Sequence, residues 1–339
     1  MTQALLGLTL SELEQVAKQY NQPKFRAKQL AFWLYQRRAT TFQEMTNLPG
    51  NFRDALSKDY VIGRSQLIEC QKSKDGTEKY LFQTFNNQNK SIETVYIPEG
   101  DRATLCISSQ VGCKMGCTFC MTGRMGFMAQ LLAMDIINQV LSCPHYEKLT
   151  NIVFMGMGEP LDNYTEVAKV IDILTAEWGL AWSPKRITVS TVGPRRGLEK
   201  FLQEQKVHLA ISIHTPFPQE RLTLMPVQKA FPIEEIIETL QQYDFSHQRR
   251  LSFEYILFQG VNDSFRHALA LVRLLKPLDC RVNLIKYHAL PNSNLQAPAP
   301  ERIQHFEEYL NNHGLRCTTR RSRGEDIFAA CGMLSTLKS

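Results

Sequence analysis

Six short runs of apolar and β-branched residues, each followed by a segment of helical periodicity, constrain the fold of this chain more than any other feature. The runs are Thr104 to Ser108, Asn151 to Met155, Arg186 to Ser190, His208 to Ile213, Ser252 to Leu257 and Arg281 to Ile285. Helix-like segments follow near residues 131–142, 164–177, 195–204, 233–243, 264–276 and 301–312. This alternation predicts a parallel sheet covered by helices, because parallel neighbours need a crossover and a helix supplies it. A doubly wound sheet and a full or partial TIM-like barrel both satisfy the pattern. The polar residues favour the barrel, since they gather just after successive strands, the end at which barrel active sites assemble.

The loop after the first run holds Cys113, Cys117 and Cys120 in a C-x3-C-x2-C triplet. Three thiolates in a short Gly-containing loop can ligate three irons of a [4Fe–4S] cluster, which leaves the fourth iron open to a substrate or cofactor. A zinc site and three unligated buried thiols are the alternatives. Structural zinc takes paired half-sites, and no second half-site follows here. Beyond the second run lies Gly156-Met157-Gly158-Glu159-Pro160, where glycine admits close backbone approach and Glu159 can accept hydrogen bonds from an ammonium group. Ser190-Thr191-Val192-Gly193 and Ser212-Ile213-His214 end the third and fourth runs. Each alone reads as a turn or a capped strand end. Together they bring hydroxyls, an imidazole and a carboxylate toward the cysteines.

The first sixty residues read as helical. Leu10, Leu13, Val16 and Ala17 repeat at helical spacing after a cap at Thr9 or Ser11. From Pro23, apolar Phe25, Ala27, Leu30, Phe32, Trp33 and Leu34 alternate with Lys24, Arg26, Lys28, Arg37 and Arg38. That is either an amphipathic helix with a solvated basic face or a small module that grips phosphates. Leu67 to Cys70, Thr77 to Phe82 and Ser91 to Ile97 are alternating runs with turns at Asp75-Gly76 and Asn86-Asn87, which predicts a small antiparallel sheet. Boundaries follow at 1–62, 63–98 and 99–339. A net charge of +6 is compatible with an anionic partner such as RNA. Nine cysteines behind an N-terminus without signal-peptide features point to a reducing cytoplasm, and no apolar run reaches the length of a membrane span.

Longer strings carry a family resemblance. The triplet resembles the radical S-adenosylmethionine (SAM) signature. Glu93-Thr-Val-Tyr-Ile-Pro-Glu, Arg102-Ala-Thr-Leu-Cys-Ile-Ser-Ser-Gln-Val-Gly-Cys, Gly156-Met-Gly-Glu-Pro-Leu and Ser322-Arg-Gly-Glu-Asp-Ile-Phe-Ala-Ala-Cys331-Gly resemble the RlmN family. These are the dual-specificity adenine C2-methyltransferases of 23S rRNA and tRNA. Pro23-Lys-Phe-Arg-Ala-Lys-Gln fits as well, so the resemblance covers nearly the whole chain. It implies an α/β fold: a partial TIM-like (β/α)6 radical-SAM barrel with an N-terminal helical RNA-binding domain and a small β linker domain.

The resemblance also implies roles. Cys113, Cys117 and Cys120 hold the [4Fe–4S] cluster, and SAM chelates the open iron. Gly158, Glu159, Ser190, Ser212, Ile213 and His214 match SAM contacts. His288 stands where the family often reads Tyr-Asn-Pro or Trp-Asn-Pro, whereas this chain has Tyr287-His288-Ala289. Cys331 matches the cysteine that is methylated, Cys106 its partner that resolves the protein–RNA adduct through a disulfide, and Glu93 the proton acceptor. Two SAM per turnover, an external donor such as a flavodoxin or ferredoxin, a monomeric state and a cytoplasmic location complete the expectation. A Cfr-type adenine C8 methyltransferase, a radical-SAM oxidoreductase or activase acting on another substrate, and a non-catalytic RNA-binding protein with a structural metal are the rivals. Without the family match Cys331 reads as a small buried residue, like Cys70, Cys143, Cys280 and Cys317. Arg320, Arg321 and Arg323 read as phosphate contacts or as an exposed salt-bridged run.

Overall fold

In the computed structural model, which describes residues 3–85, 90–246 and 249–335, the chain opens on a two-residue strand, β1 (Gln3–Ala4). The Asn86-Asn87 turn expected from the sequence lies outside the described residues. Thr9 then starts α1 (Leu10–Gln19) with a capping box: its hydroxyl accepts from the Glu12 N–H, and Glu12 Oε2 accepts from the Thr9 N–H at 2.7 Å. The basic segment forms α2 (Phe25–Ala31), which continues through Gln36 in a wider π turn and buries Ala27, Leu30 and Ala31. After α3 (Gly50–Asp59), β2 (Tyr60–Val61) returns to pair in parallel with β1. Gly7 lets this module sit against the barrel. Its φ is +84°, and a Cβ there would lie 2.4 Å from the Met134 backbone nitrogen.

Strands β3 (Leu67–Lys72), β4 (Glu78–Gln83) and β5 (Ser91–Glu99) are antiparallel, as their alternation predicts. They do not form a sheet of their own, because β5 also pairs antiparallel with β6 (Arg102–Cys106), the first strand of the barrel. From β6 the chain makes the hairpin β7 (Gln110–Gly112) and β8 (Phe127–Gln130), with the short α4 (Met121–Arg124) between them. Strand and helix then alternate: α5 (Ala133–Leu141), β9 (Asn151–Phe154), α6 (Tyr164–Thr175), β10 (Ile187–Thr191), α7 (Arg195–Glu204) and β11 (His208–Ser212). Next come α8 (Pro218–Leu224), α9 (Ile233–Leu240), β12 (Leu251–Leu257), α10 (Phe265–Leu275), β13 (Cys280–Lys286), α11 (Pro300–Asn312) and β14 (Cys317–Arg320). The result is one open ten-stranded sheet in the order β14-β13-β12-β11-β10-β9-β6-β5-β4-β3, parallel from β14 to β6.

All six expected strand–helix units are present. The seventh parallel strand, β14, was not expected, because a four-residue Cys-Thr-Thr-Arg edge strand with one buried position carries almost no apolar signal. Parallel register sorts the two faces of the sheet. Ile152, Ile187, Val189, Leu209, Ile211, Leu251, Phe253 and Val282 share the helix-covered face and are buried in the main core. The alternate positions, Cys106, Ser190, Ser212, Ser252, Glu254 and Asn283, lie on the other face. Polar residues thus line the face that the helices leave uncovered. Cys143, Cys280 and Cys317 are buried as expected, but Cys70 is exposed, since β3 is the edge of the sheet. No helix among the described residues is long and apolar enough to cross a membrane. Gly7→Ala is expected to lower stability by about 1–3 kcal/mol in urea unfolding, the usual cost of holding a non-glycine residue in a sparsely populated conformation.

Candidate active site

The cysteine loop is braced from both sides. Cys113 donates its N–H to the Gly126 carbonyl at 3.1 Å, which closes the β7–β8 hairpin. Thr118 donates from its N–H and its hydroxyl to the Leu224 carbonyl at the end of α8, at 3.0 and 3.2 Å. Cys113, Cys117 and Cys120 all line one cavity. Burial raises all three thiols, Cys113 to about 12, and mutual repulsion pushes in the same direction at Cys113 and Cys117. Thiols so placed ionise only when a cation joins them. No three His, Cys, Asp or Glu side chains among the described residues converge tightly enough for a single metal ion. Three thiolates from one loop can each take a different iron of a cubane, so the donor chemistry of the loop fits a [4Fe–4S] cluster.

Gly158, Glu159, Ser190, Ser212 and His214 line the same cavity. Gly158 has φ +98°, and a Cβ there would lie 2.5 Å from the Gln110 Cβ, so only glycine fits. Glu159 is buried. Its Oε1 accepts from the Thr191 hydroxyl (2.5 Å) and the Leu161 N–H (3.0 Å), and its Oε2 from the Val192 N–H (2.9 Å). A carboxylate offers about four lone-pair positions, so one remains for a ligand. Burial outweighs these donors and lifts the Glu159 carboxyl to about 7. His214 adopts a left-handed conformation, φ +57°, held by Asn262 Nδ2 donating to its carbonyl at 2.6 Å. The Ile256 N–H donates to His214 Nδ1 at 3.0 Å, which leaves the ring proton on Nε2. Burial, with the nearby Arg221 charge adding to it, lowers this imidazole to about 3 and keeps it neutral.

Ile213 and His288 are placed differently. The Ile213 side chain is in the main core, and only its backbone is near the strand end, where its N–H donates to the Glu254 carbonyl at 3.1 Å. His288 is buried outside the cavity lining. Its Nδ1 stands 3.3 Å from Glu325 Oε1, within ion-pair range but not aligned as a hydrogen bond.

Cys331 is exposed at the cavity, not buried as composition alone suggests, and the segment carrying it is tied down along its length. Asp75 Oδ2 accepts from the Gly324 N–H at 2.9 Å, and Ser73 donates to Asp326 at 2.6 Å, so the β3–β4 turn grips the start of the segment. The Gly332 carbonyl accepts from the Met121 N–H at 2.7 Å, and the Leu334 carbonyl from the Thr122 hydroxyl at 2.7 Å. The Ser335 N–H donates to Glu93 Oε2 at 2.7 Å. These bonds carry Cys331 to the cysteine loop. Cys106, at the end of β6, is buried beside it: burial and then the neighbouring Cys331 sulfur push Cys106 up to about 12. Glu93 is buried on the same sheet face, two positions from the Val95 that pairs with Cys106. Burial raises its carboxyl, although Lys79 lies 3.0 Å from Oε1.

Two further residues complete the site: Arg320, which the sequence placed in a basic run, and Glu254, which pattern reasoning did not single out. Arg320 turns inward instead of joining an exposed basic run. Its Nη1 is 3.5 Å from Glu254 Oε2 and 3.3 Å from Met155 Sδ, and its charge pulls against the upward shift of both Cys106 and Cys331. Glu254 is buried, lines the cavity and accepts from Asn283 at 2.7 Å. One carboxylate inside the apolar run Leu251–Leu257 was the only signal available for it. A second groove, lined by Arg195, Leu198, Phe231 and Ile236, holds none of the candidate residues.

Comparison with known proteins agrees with this arrangement. Residues 107–272 match the family model described as the radical SAM superfamily, and residues 3–62 the one described as the ribosomal RNA large subunit methyltransferase N-terminal domain. A protein from Phocaeicola vulgatus named as a probable dual-specificity RNA methyltransferase RlmN is 58% identical over 335 residues, covering 99% of this chain and 95% of its own. Its namesake from Campylobacter hominis is 40% identical, covering 97% and 96%. The crystal structure of a radical SAM methyltransferase from Sphaerobacter thermophilus superposes with a TM-score of 0.91 at 40% identity, covering 98% of this chain and 99% of that one.

Two outcomes follow from this geometry. Asp75→Ala is expected to leave SAM binding intact while slowing S-methylation of Cys331, read by intact mass, because it frees the start of the segment. SAM affinity measured by equilibrium dialysis is expected to fall as pH drops below about 7, where Glu159 takes up a proton, and to lose this dependence in Glu159→Gln.

Proposed function

Because the chain belongs to the RlmN family of radical-SAM dual-specificity RNA methyltransferases, we propose that it methylates carbon 2 of one adenine in 23S rRNA and one in tRNA. The sites are the peptidyl-transferase region of the rRNA and the position 3′ of the anticodon in the tRNA. The observation that carries this reading is the meeting of Cys331 with the Cys113–Cys120 loop and with Cys106, from opposite ends of the barrel sequence. An oxidoreductase or activase has no use for that pair.

Carbon 2 of adenine is electron-poor and offers no nucleophile, so polar transfer from SAM cannot methylate it. When bound to Cys113, Cys117 and Cys120, the cluster, together with SAM, supplies the one-electron chemistry that this carbon requires. Gly158, Glu159, Ser190, Ser212 and His214 hold SAM, with the Ile213 backbone at the same strand end, whereas His288 lies outside that lining. The Cys331 thiolate takes a methyl group from one SAM: a sulfur–carbon bond forms and the SAM sulfonium–methyl bond breaks. A second SAM is consumed in activating that methyl. Glu93 then receives the ring proton, and its raised carboxyl pKa suits a general base. Cys106 attacks the Cys331 sulfur: an S–S bond forms, the bond from that sulfur to the bridging carbon breaks with its electron pair left on the RNA, and a proton taken up there completes the product methyl group. Arg320, set near both sulfurs, favours their ionised forms.

Residues 1–62 grip RNA phosphates through Lys24, Arg26 and Lys28. Phe25, 54% exposed with the Arg26 guanidinium 4.8 Å from its ring, offers a face on which a base can stack. Residues 63–98 anchor the C-terminal segment, and residues 99–339 form the catalytic barrel. The enzyme works as a cytoplasmic monomer that receives electrons from a flavodoxin or ferredoxin.

Peptide mass spectrometry of anaerobically purified protein is expected to find a methyl group on Cys331. Cys331→Ala is expected to abolish turnover, and Cys106→Ala to accumulate RNA covalently bound to protein. Digested RNA should contain 2-methyladenosine; 8-methyladenosine alone would overturn the C2 assignment. Colourless, iron-free protein that never cleaves SAM would favour the non-catalytic RNA-binding reading.

A further inference from the structure

Among the described residues, Arg221 is the largest side chain buried completely. It leaves α8 one turn before Leu224, whose carbonyl takes both hydrogen bonds from Thr118 in the cysteine loop. Its Nη1 donates to the Gln228 side-chain oxygen (2.5 Å) and the Phe231 carbonyl (3.3 Å), and its Nη2 to the Ser212 carbonyl (3.1 Å). All three acceptors are neutral, and the Nε–H has none. The nearby Glu234 carboxylate meets Gln228 instead, at 3.2 Å, and no ion pair among the described residues includes Arg221. A guanidinium out of water with only neutral partners is costly unless a negative group stands close. Its Ser212 partner and Met225, whose N–H donates to the Arg221 carbonyl, both line the cavity that Cys113, Cys117 and Cys120 line, so the guanidinium stands behind the wall of the cysteine site.

We infer that Arg221 is a fixed counter-charge for the cluster held by Cys113, Cys117 and Cys120, and that it makes that cluster easier to reduce. The inference rests on the proposed function. A thiolate-ligated cluster is net negative, and one electron from a flavodoxin- or ferredoxin-class donor adds one further negative charge, with no bond broken and no proton moved. A buried cation stabilises the more negative state more strongly, so the potential rises; net charge and hydrogen bonding around the sulfurs are the protein's main control over it. Arg221 is a positioning residue here, since it acts through the cluster and touches no substrate. Its bond to the Ser212 carbonyl ties the same charge to the strand end that holds SAM.

The test is an EPR-monitored redox titration of anaerobically reconstituted full-length protein, without SAM or RNA, with iron and sulfide assayed on each sample. Arg221→Gln is expected to move the cluster midpoint to a more negative potential at unchanged iron content, and Arg221→Lys to move it less. Gln228→Glu sets a carboxylate against the guanidinium without removing it, and is expected to reproduce the Arg221→Gln shift. An iron-loaded Arg221→Gln protein at the wild-type potential overturns the inference. So does an Arg221→Lys shift as large as that of Arg221→Gln, since hydrogen bonding and not charge would then be responsible. If Arg221→Gln does not fold, Gln228→Glu decides, and an unchanged potential there is equally fatal. Weaker SAM binding with no change in potential would assign Arg221 to the SAM carboxylate and refute the cluster role. Wild-type protein that takes up no iron removes the proposed function and the inference together, whereas an unmoved potential in iron-loaded variants removes only the inference.

Discussion

The hydrogen bond from the Met121 N–H to the Gly332 carbonyl joins two parts of the chain that share no local structure. One is the turn of helix that follows the third cysteine of the loop, and the other follows Cys331. Without this bond, and the Thr122–Leu334 bond beside it, nothing would hold the Cys331 segment against the cysteine loop. The cost of closing so long a loop grows only slowly with its length. What must be supplied is local ordering of the segment, and the sheet edge supplies it: Ser73 and Asp75 hold Asp326 and Gly324, while Glu93 holds Ser335. The antiparallel strands that look like a linker in sequence therefore serve as an anchor for the segment that carries Cys331.

The second organising constraint is the period of two along the strands. One face of the parallel sheet is apolar and packed by helices, and the other carries Cys106, Ser190, Ser212, Glu254 and Asn283 in register. A polar face turned inward is affordable only if its groups satisfy one another. Asn283 donates to Glu254, and Arg320 pairs with Glu254 on its other oxygen. The same burial shapes the chemistry. It raises the cysteine thiols and the Glu93 and Glu159 carboxyls and lowers His214, so burial favours the uncharged form of each group. The half-buried Arg320, beside Cys106 and Cys331, and the buried Arg221, behind the cysteine loop, are the cations on this face.

The fold was largely legible in the sequence because its main signals are local. Six apolar runs and the helices between them appear within a few residues of their expected bounds, and Thr9 caps α1 with its own Glu12 partner. The cysteine spacing likewise marked one loop as the place for a cluster, a zinc ion or buried thiols without any tertiary information. β14 escaped notice because an edge strand of four residues leaves no periodic trace. The position of Glu254 was visible only as an odd charge in an apolar run.

What the sequence by itself determined is therefore the alternation, the cysteine triplet and, through longer strings, the family. What only the tertiary structure decided is which distant groups meet. It set Cys331 against Cys106 and the loop, turned Arg320 toward Glu254, gave Arg221 only neutral hydrogen-bond partners behind the cavity, and moved Ile213 and His288 off the cavity wall. The physical reason is that helical and strand periods are written over neighbouring residues, whereas a shared site is written in the register of strands hundreds of positions apart.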